Sequence, residues 1–190
     1  LVTAHEQREL VDSSPLVTVA LHRLLLALLH RIYHGPADVG QWKAIRDADC
    51  FDAGRIDEYL GRWRARFDLF DAARPFYQVP ELPDVAPSSV ATLAHELGSG
   101  NNSTLFDHTT ADNVAFTLAQ AARYLVAFQL FAIGGGNSTP FYLSDGPLAR
   151  DYTVLVRGKS LFETLTLNMT QYDEREGADE PMPNLGDLPW

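Results

Sequence analysis

The feature that most constrains this chain is the apolar stretch 16–33, bracketed by Ser14-Pro15 and Gly35-Pro36. Serine before proline is a helix start: the hydroxyl can accept a free first-turn amide, and proline lacks the amide that would otherwise go unbonded. Gly-Pro is an equally firm stop. Between these signals, Leu16, Val17, Val19, Ala20, Leu21, the run Leu24 to Leu29, Ile32 and Tyr33 cover most of the circumference of a helix reaching about His34. A helix apolar on nearly every side must be wrapped by other elements, so the chain is expected to pack around this one. Leu24 to Leu29 is the longest unbroken apolar run, far short of the roughly 20 residues of a bilayer span. The N-terminus lacks a basic-then-apolar signal pattern, and no membrane role is expected.

A second helix is expected from about Gly54 to Phe67, where Ile56, Leu60, Trp63, Phe67 and Phe70 recur at steps of four and three. Arg55, Arg62 and Arg66 share one side of it and could line a phosphate track. Asp52, Asp57, Glu58 and Asp68 alternate with them, which suits ordinary surface ion pairs better. Residues 71–103 hold prolines at 75, 80, 83 and 87 and read as a long, mostly irregular connection, apart from a short apolar patch at Val90 to Leu97. Thr117-Leu118-Ala119-Gln120 has capping-box form and opens a third helix through Ile133, which Gly134-Gly135-Gly136 stops. Tyr152, Val154 and Val156 alternate with Thr153, Leu155 and Arg157 as a strand would, and Gly158-Lys159 turns it. Ser160-Leu161-Phe162-Glu163 is a second capping box, launching a short helix to about Thr170. With no solenoid repeat and no heptad array, the expected class is α+β, mainly α: an irregular helical domain with a few short strands and long loops.

A chain of 190 residues with 46% hydrophobic side chains can bury a real core. It starts at Leu1 and stops at Trp190 on a Pro-rich acidic stretch, and is expected to be part of a larger domain of a longer chain. The net charge of −10 and pI near 4.9 disfavour nonspecific binding to phosphate backbones, which needs excess Lys and Arg to displace counterions. That acidity is uneven: Asp173, Glu174, Glu176, Asp179, Glu180 and Asp187 face only Arg175 in the tail, so the body is mildly acidic. The single cysteine, Cys50, excludes an intrachain disulfide and an all-thiolate zinc site, and suits a reducing cytoplasm. His22, His30 and His34 are spaced for one helix face, which would allow a metal-dependent hydrolase. No carboxylate lies in that helix, however, and buried or solvent-facing histidines explain the spacing as well. There is no Gly-x-Ser-x-Gly elbow and no thiol beside a base. The expectation is a protein that is not an enzyme and uses no cofactor.

Two segments have the composition of contact loops. In the first, Asn101, Asn102, Phe106, Asp107 and His108 follow Gly100: the aromatic could stack on an unpaired base while an amide or imidazole bonds its edge. The competing account is a loop that satisfies its own backbone, with Phe106 plugged into the core. In the second, three glycines at 134, 135 and 136 exceed what a helix stop requires, and a side-chain-free surface permits close approach by a nucleic-acid groove or another backbone. A flexible loop end would account for them too. No strand precedes them and no Gly-Lys-Ser/Thr follows, so this is not a nucleotide-binding fingerprint.

Taken in order, these pieces resemble the N-terminal region of the CasA family, the large subunit of the type I-E CRISPR Cascade complex. The series begins with Leu21-His22-Arg23-Leu24-Leu25-Leu26-Ala27-Leu28-Leu29-His30-Arg31. Tyr59-Leu60-Gly61-Arg62-Trp63, Phe67-Asp68-Leu69-Phe70 and Arg74-Pro75-Phe76-Tyr77-Gln78 follow. After Gly100 to His108 and the triple glycine, it closes on Val156-Arg157-Gly158-Lys159-Ser160-Leu161-Phe162-Glu163-Thr164-Leu165 with Asn168. The resemblance implies a non-catalytic subunit near the 5′ end of a CRISPR guide RNA. It would inspect the short protospacer-adjacent motif of target double-stranded DNA, bind other Cascade subunits and help recruit a helicase-nuclease effector. In RNA-guided systems base pairing reads the long target while protein reads only the flanking motif. By resemblance, the loop with Phe106, Asp107 and His108 contacts the guide end and the motif region, and Gly134 to Gly136 approach the motif's minor groove. A degenerate groove pattern read by bare backbone would tolerate several motifs. The family's C-terminal helical bundle and its duplex-gripping lysines and glutamines would lie beyond Trp190. The alternative is a protein-interaction scaffold that reads no nucleic acid directly.

Overall fold

The computed structural model describes residues 6–80, 87–97, 114–134 and 145–171. Five α-helices stand in chain order: α1 Pro15–Tyr33, α2 Val39–Asp47, α3 Ala53–Trp63, α4 Leu118–Phe131 and α5 Leu161–Asn168. Two 3₁₀ turns, Arg64–Phe67 and Val90–Leu93, complete the regular structure among the described residues. The short strands expected from the sequence are not found there. Among the described residues, 152–158 run without a ladder partner, and a strand exists only by its pairing.

The chain divides into two compact units. In one, formed by described parts of Leu1–Val11, His22–Asp71 and Val154–Trp190, a single core collects the C-terminal half of α1 with α3 and α5. Leu26, Leu28, Leu29 and Ile32 of α1 meet Phe51, Ile56, Leu161, Phe162, Leu165 and Met169. Phe51 is the pivot: 1% exposed, it packs edge-on to Phe162 at 4.7 Å and tilted against Tyr33 at 6.1 Å. Burying a side chain of that size contributes about 2–3 kcal/mol. By length and composition alone the 19 residues of α1 could cross a bilayer, but its leucines here feed a protein core.

Helix α2 was not anticipated from sequence. Asp38 caps it by accepting from Gln41 N at 2.8 Å, and Trp42 fastens it to α5 by donating its indole N–H to the Thr166 carbonyl at 2.8 Å. No α2 residue is fully buried, so its apolar signal is faint and the cap spacing Asp38 to Gln41 was the only cue. Helix α3 is shorter than expected, passing into the 3₁₀ turn at Arg64. Arg55 is not part of a phosphate track. Its guanidinium donates to the Ile32 carbonyl at 2.8 Å and lies over the Tyr33 ring at 4.6 Å, closing the C-terminal end of α1.

The other unit, from described parts of Asp12–Leu21 and Ala72–Thr153, sets α4 against the Val90–Leu93 turn and buries Val17, Ala20, Ala91, Ala94, Val126 and Ala127. Arg123 pairs with Asp12 at 3.0 Å, and the Tyr124 hydroxyl donates to Glu96 at 2.8 Å. The capping box at Thr117 forms as expected: Thr117 Oγ1 accepts from Gln120 N, while Gln120 Oε1 accepts from Thr117 N at 2.9 Å. The one at Ser160 forms by half. Ser160 accepts from Glu163 N, but the Glu163 carboxylate reaches past the cap residue to Lys159 N.

Candidate nucleic-acid interface

Helix α4 presents the last described residues before the glycine segment, and its end differs from expectation. It stops at Phe131, and Ala132 turns to φ −58°, ψ 135°, two residues ahead of the glycines. A helix end leaves four carbonyls without intrahelical partners. Here the returning chain supplies donors: Leu148 N bonds the Leu130 carbonyl at 2.9 Å, and Gly146 N bonds the Ala132 carbonyl at 2.7 Å. Because a backbone strap ends the helix, the glycines are not needed to do so.

Gly134 donates its own N–H to Asp145 Oδ1 at 2.6 Å, and the other carboxylate oxygen pairs with Arg150 Nε at 2.7 Å. The Gly134 amide donation, first, and then the Arg150 charge hold the Asp145 carboxyl below the ordinary carboxylate range. The two ends of segment 134–145 are therefore tied together in a neck at the tip of α4. Gly146 makes the neck possible: a Cβ there would meet the Leu130 carbonyl oxygen at 2.7 Å and its carbon at 2.8 Å. Asp145, Gly146 and Arg150 escaped sequence reasoning, although Asp-Gly-Pro at 145–147 is strong turn chemistry.

Of the residues singled out from sequence, Gly134 lies in this neck, and its amide is engaged by Asp145 rather than open to a phosphate. Gly135, Gly136, Asn101, Asn102, Phe106, Asp107 and His108 lie outside the described residues. The histidines of α1 are not assembled as a metal centre: among the described residues no group of three His, Cys, Asp or Glu side chains is placed to hold an ion. His22 is buried, and His30 Nδ1 donates to the Gly35 carbonyl at 2.9 Å. Burial, reinforced by the Arg23 charge and opposed by that carbonyl, lowers the His30 pKa.

Asn168, which carried no assigned role, joins α5 to the segment before it. Its Oδ1 accepts from Val156 N at 3.0 Å, and its Nδ2 donates to the carbonyls of Val156 and Thr164 at 2.6 Å each.

The profile of the family described as CRISPR-associated protein Cse1 matches residues 1–190. The CasA/Cse1 protein of Thermus thermophilus is 43% identical over 99% of this chain and 39% of its own length. A crystal structure of Thermus thermophilus CasA superposes with a TM-score of 0.77, at 36% identity in the structural alignment, over 99% of this chain and 38% of that one. A chain of a CRISPR RNA-guided surveillance complex, in a pre-nicking state, superposes with a TM-score of 0.69 at 26% identity, over 89% of this chain and 37% of that one. All three similarities are to CRISPR-associated proteins. Within that class, the chain belongs to the Cse1 family, also called CasA. It spans about two fifths of the length of these relatives.

Proposed function

We propose that this chain is the N-terminal part of the large subunit of an RNA-guided CRISPR surveillance complex and has no catalytic role. In this reading it contacts the 5′ end of the guide RNA and recognises the protospacer-adjacent motif in target double-stranded DNA. It acts in the cytoplasm, where the free, exposed Cys50 stays reduced, and helps recruit the helicase-nuclease. Membership of the Cse1 family along all 190 residues carries the proposal. The neck at the tip of α4 supports it, because a loop that must reach into a narrow groove needs a root that does not splay. Gly135 and Gly136 then supply the bare backbone for the minor groove, with Gly134 as their root. Asn101, Asn102, Phe106, Asp107 and His108 supply stacking and edge contacts to the guide end and the motif region. A net charge of −10 leaves most phosphate neutralisation to other Cascade subunits and to the guide complex they form.

The test is Gly135→Asp in the assembled complex, titrated with motif-bearing duplexes at fixed salt. A side chain with a negative charge at a groove contact should weaken binding by roughly tenfold or more, the scale of one well-placed contact. Unchanged affinity overturns the assignment. For the other loop, Phe106→Ala should weaken retention of guide RNA by the assembled complex, a stacked base being worth about 1–3 kcal/mol. Equal retention would remove that role.

A further inference from the structure

The segment Val154–Arg157 has an unusual mixture of satisfied and open groups. One carboxamide, that of Asn168, takes both the N–H and the C=O of Val156. A single planar amide can do this only if the two groups point the same way, which is the disposition of an extended residue in a β ladder. Asn168 thus stands in for one residue of a neighbouring strand on one edge. On an extended chain the groups of Leu155 point to the opposite edge, and among the described residues Leu155 has no backbone partner. The side chains alternate between two faces as those of a strand do: Val154 is 81% exposed and Val156 47% exposed, continuing the alternation that starts at Tyr152, while Leu155 is half-buried. An open backbone edge of this kind is a template for another strand, and folded proteins keep such edges covered.

We infer that the edge at Leu155 receives a β-strand from the part of the family polypeptide that these 190 residues do not span. The size of that part favours this occupant over others: the Thermus thermophilus relative matches over only 39% of its length, so most of its chain is available to cover apolar surface. The surface itself is suited to a covalently continuous partner. Three or four residues of pairing are too few to hold a separate chain, but suffice where the covering segment is tethered at high effective concentration. The sequence alternation at 152–157 thus encodes a real strand whose partner lies elsewhere in the polypeptide. This inference rests on family membership and not on nucleic-acid reading, so either can fail without the other.

Amide hydrogen exchange at single-residue resolution tests it, comparing the 190-residue chain with the full natural polypeptide that carries it. The expected result is alternating protection: the Leu155 amide slows by about 100-fold or more in the full polypeptide, while that of Val154, pointing to the Asn168 edge, does not. Fast exchange at Leu155 in the full polypeptide overturns the inference. Uniform slowing of Val154 and Leu155 also overturns it, because that is the mark of a covering helix or loop. Protection that appears in the 190-residue chain and rises with its concentration overturns it in favour of pairing between two copies.

Discussion

Gly146→Ala is the sharpest test of the neck. The added methyl carbon would stand 2.7 Å from the Leu130 carbonyl oxygen, 2.8 Å from its carbon and 3.1 Å from Ala132 N. All three atoms are backbone, so no side chain can rotate away, and the strap must retreat by about half an ångström or more to restore ordinary contact. That retreat loosens the bonds from Gly146 N to Ala132 and from Leu148 N to Leu130, worth about 1 kcal/mol each net. Overpacking strain adds about 1–2 kcal/mol, giving a total loss of about 2–4 kcal/mol. Urea unfolding would read this as a lower midpoint with unchanged slope. Gly61→Ala is the control: its new methyl meets nothing within 4 Å, and a helix interior gains up to about 1 kcal/mol from alanine. If Gly146→Ala lies within about 0.5 kcal/mol of the parent while Gly61→Ala behaves as stated, the strap is not what closes the end of α4.

Three other perturbations probe the rest of the fold. Phe51→Ala empties the centre of the larger core and should cost about 3–5 kcal/mol by urea unfolding, with Cys50→Ser next to it nearly silent because Cys50 is exposed. Asn168→Asp replaces a donor to two carbonyls by a carboxylate oxygen; it should cost about 2–4 kcal/mol at neutral pH, more than Asn168→Ala, and raise exchange at Val156. For His30 the folded pKa is lowered, so the fold favours neutral imidazole. Stability is full above the unfolded value of about 6.5 and falls as pH descends from there through the folded value. His30→Asn, which keeps an N–H for the Gly35 carbonyl, should flatten that part of a stability-against-pH curve measured in urea.

Much of the local structure is legible because its causes are local. Ser14-Pro15, Thr117 with Gln120, and Ser160 mark helix starts within one or two residues of where they occur, since a cap acts within its own first turn. Helix α2 escaped because its stability comes from Trp42 reaching Thr166, 124 residues away. The alternation at 152–157 is not a strand among the described residues, because alternation is local whereas a strand also needs a ladder partner that the sequence pattern does not name. The end of α4 was assigned to glycine, whereas a strap from Gly146 and Leu148 performs that task. Of the site, only Gly134 lies among the described residues, and its amide is bonded to Asp145 rather than open.

By itself, the sequence determined the elements whose energetics are settled within a few residues: the apolar helix α1, the capped starts of α4 and α5, the alternation before Gly158, and the family the chain belongs to. Only the tertiary structure decided that Arg55 closes α1, that Asp145 and Gly146 make a neck, and that Asn168 acts as a surrogate strand. The reason is one of reach. Helix periodicity and caps are interactions between residues three or four apart, whereas a guanidinium, carboxylate or carboxamide takes its role from whichever backbone group folding brings within 3 Å, at any distance along the chain.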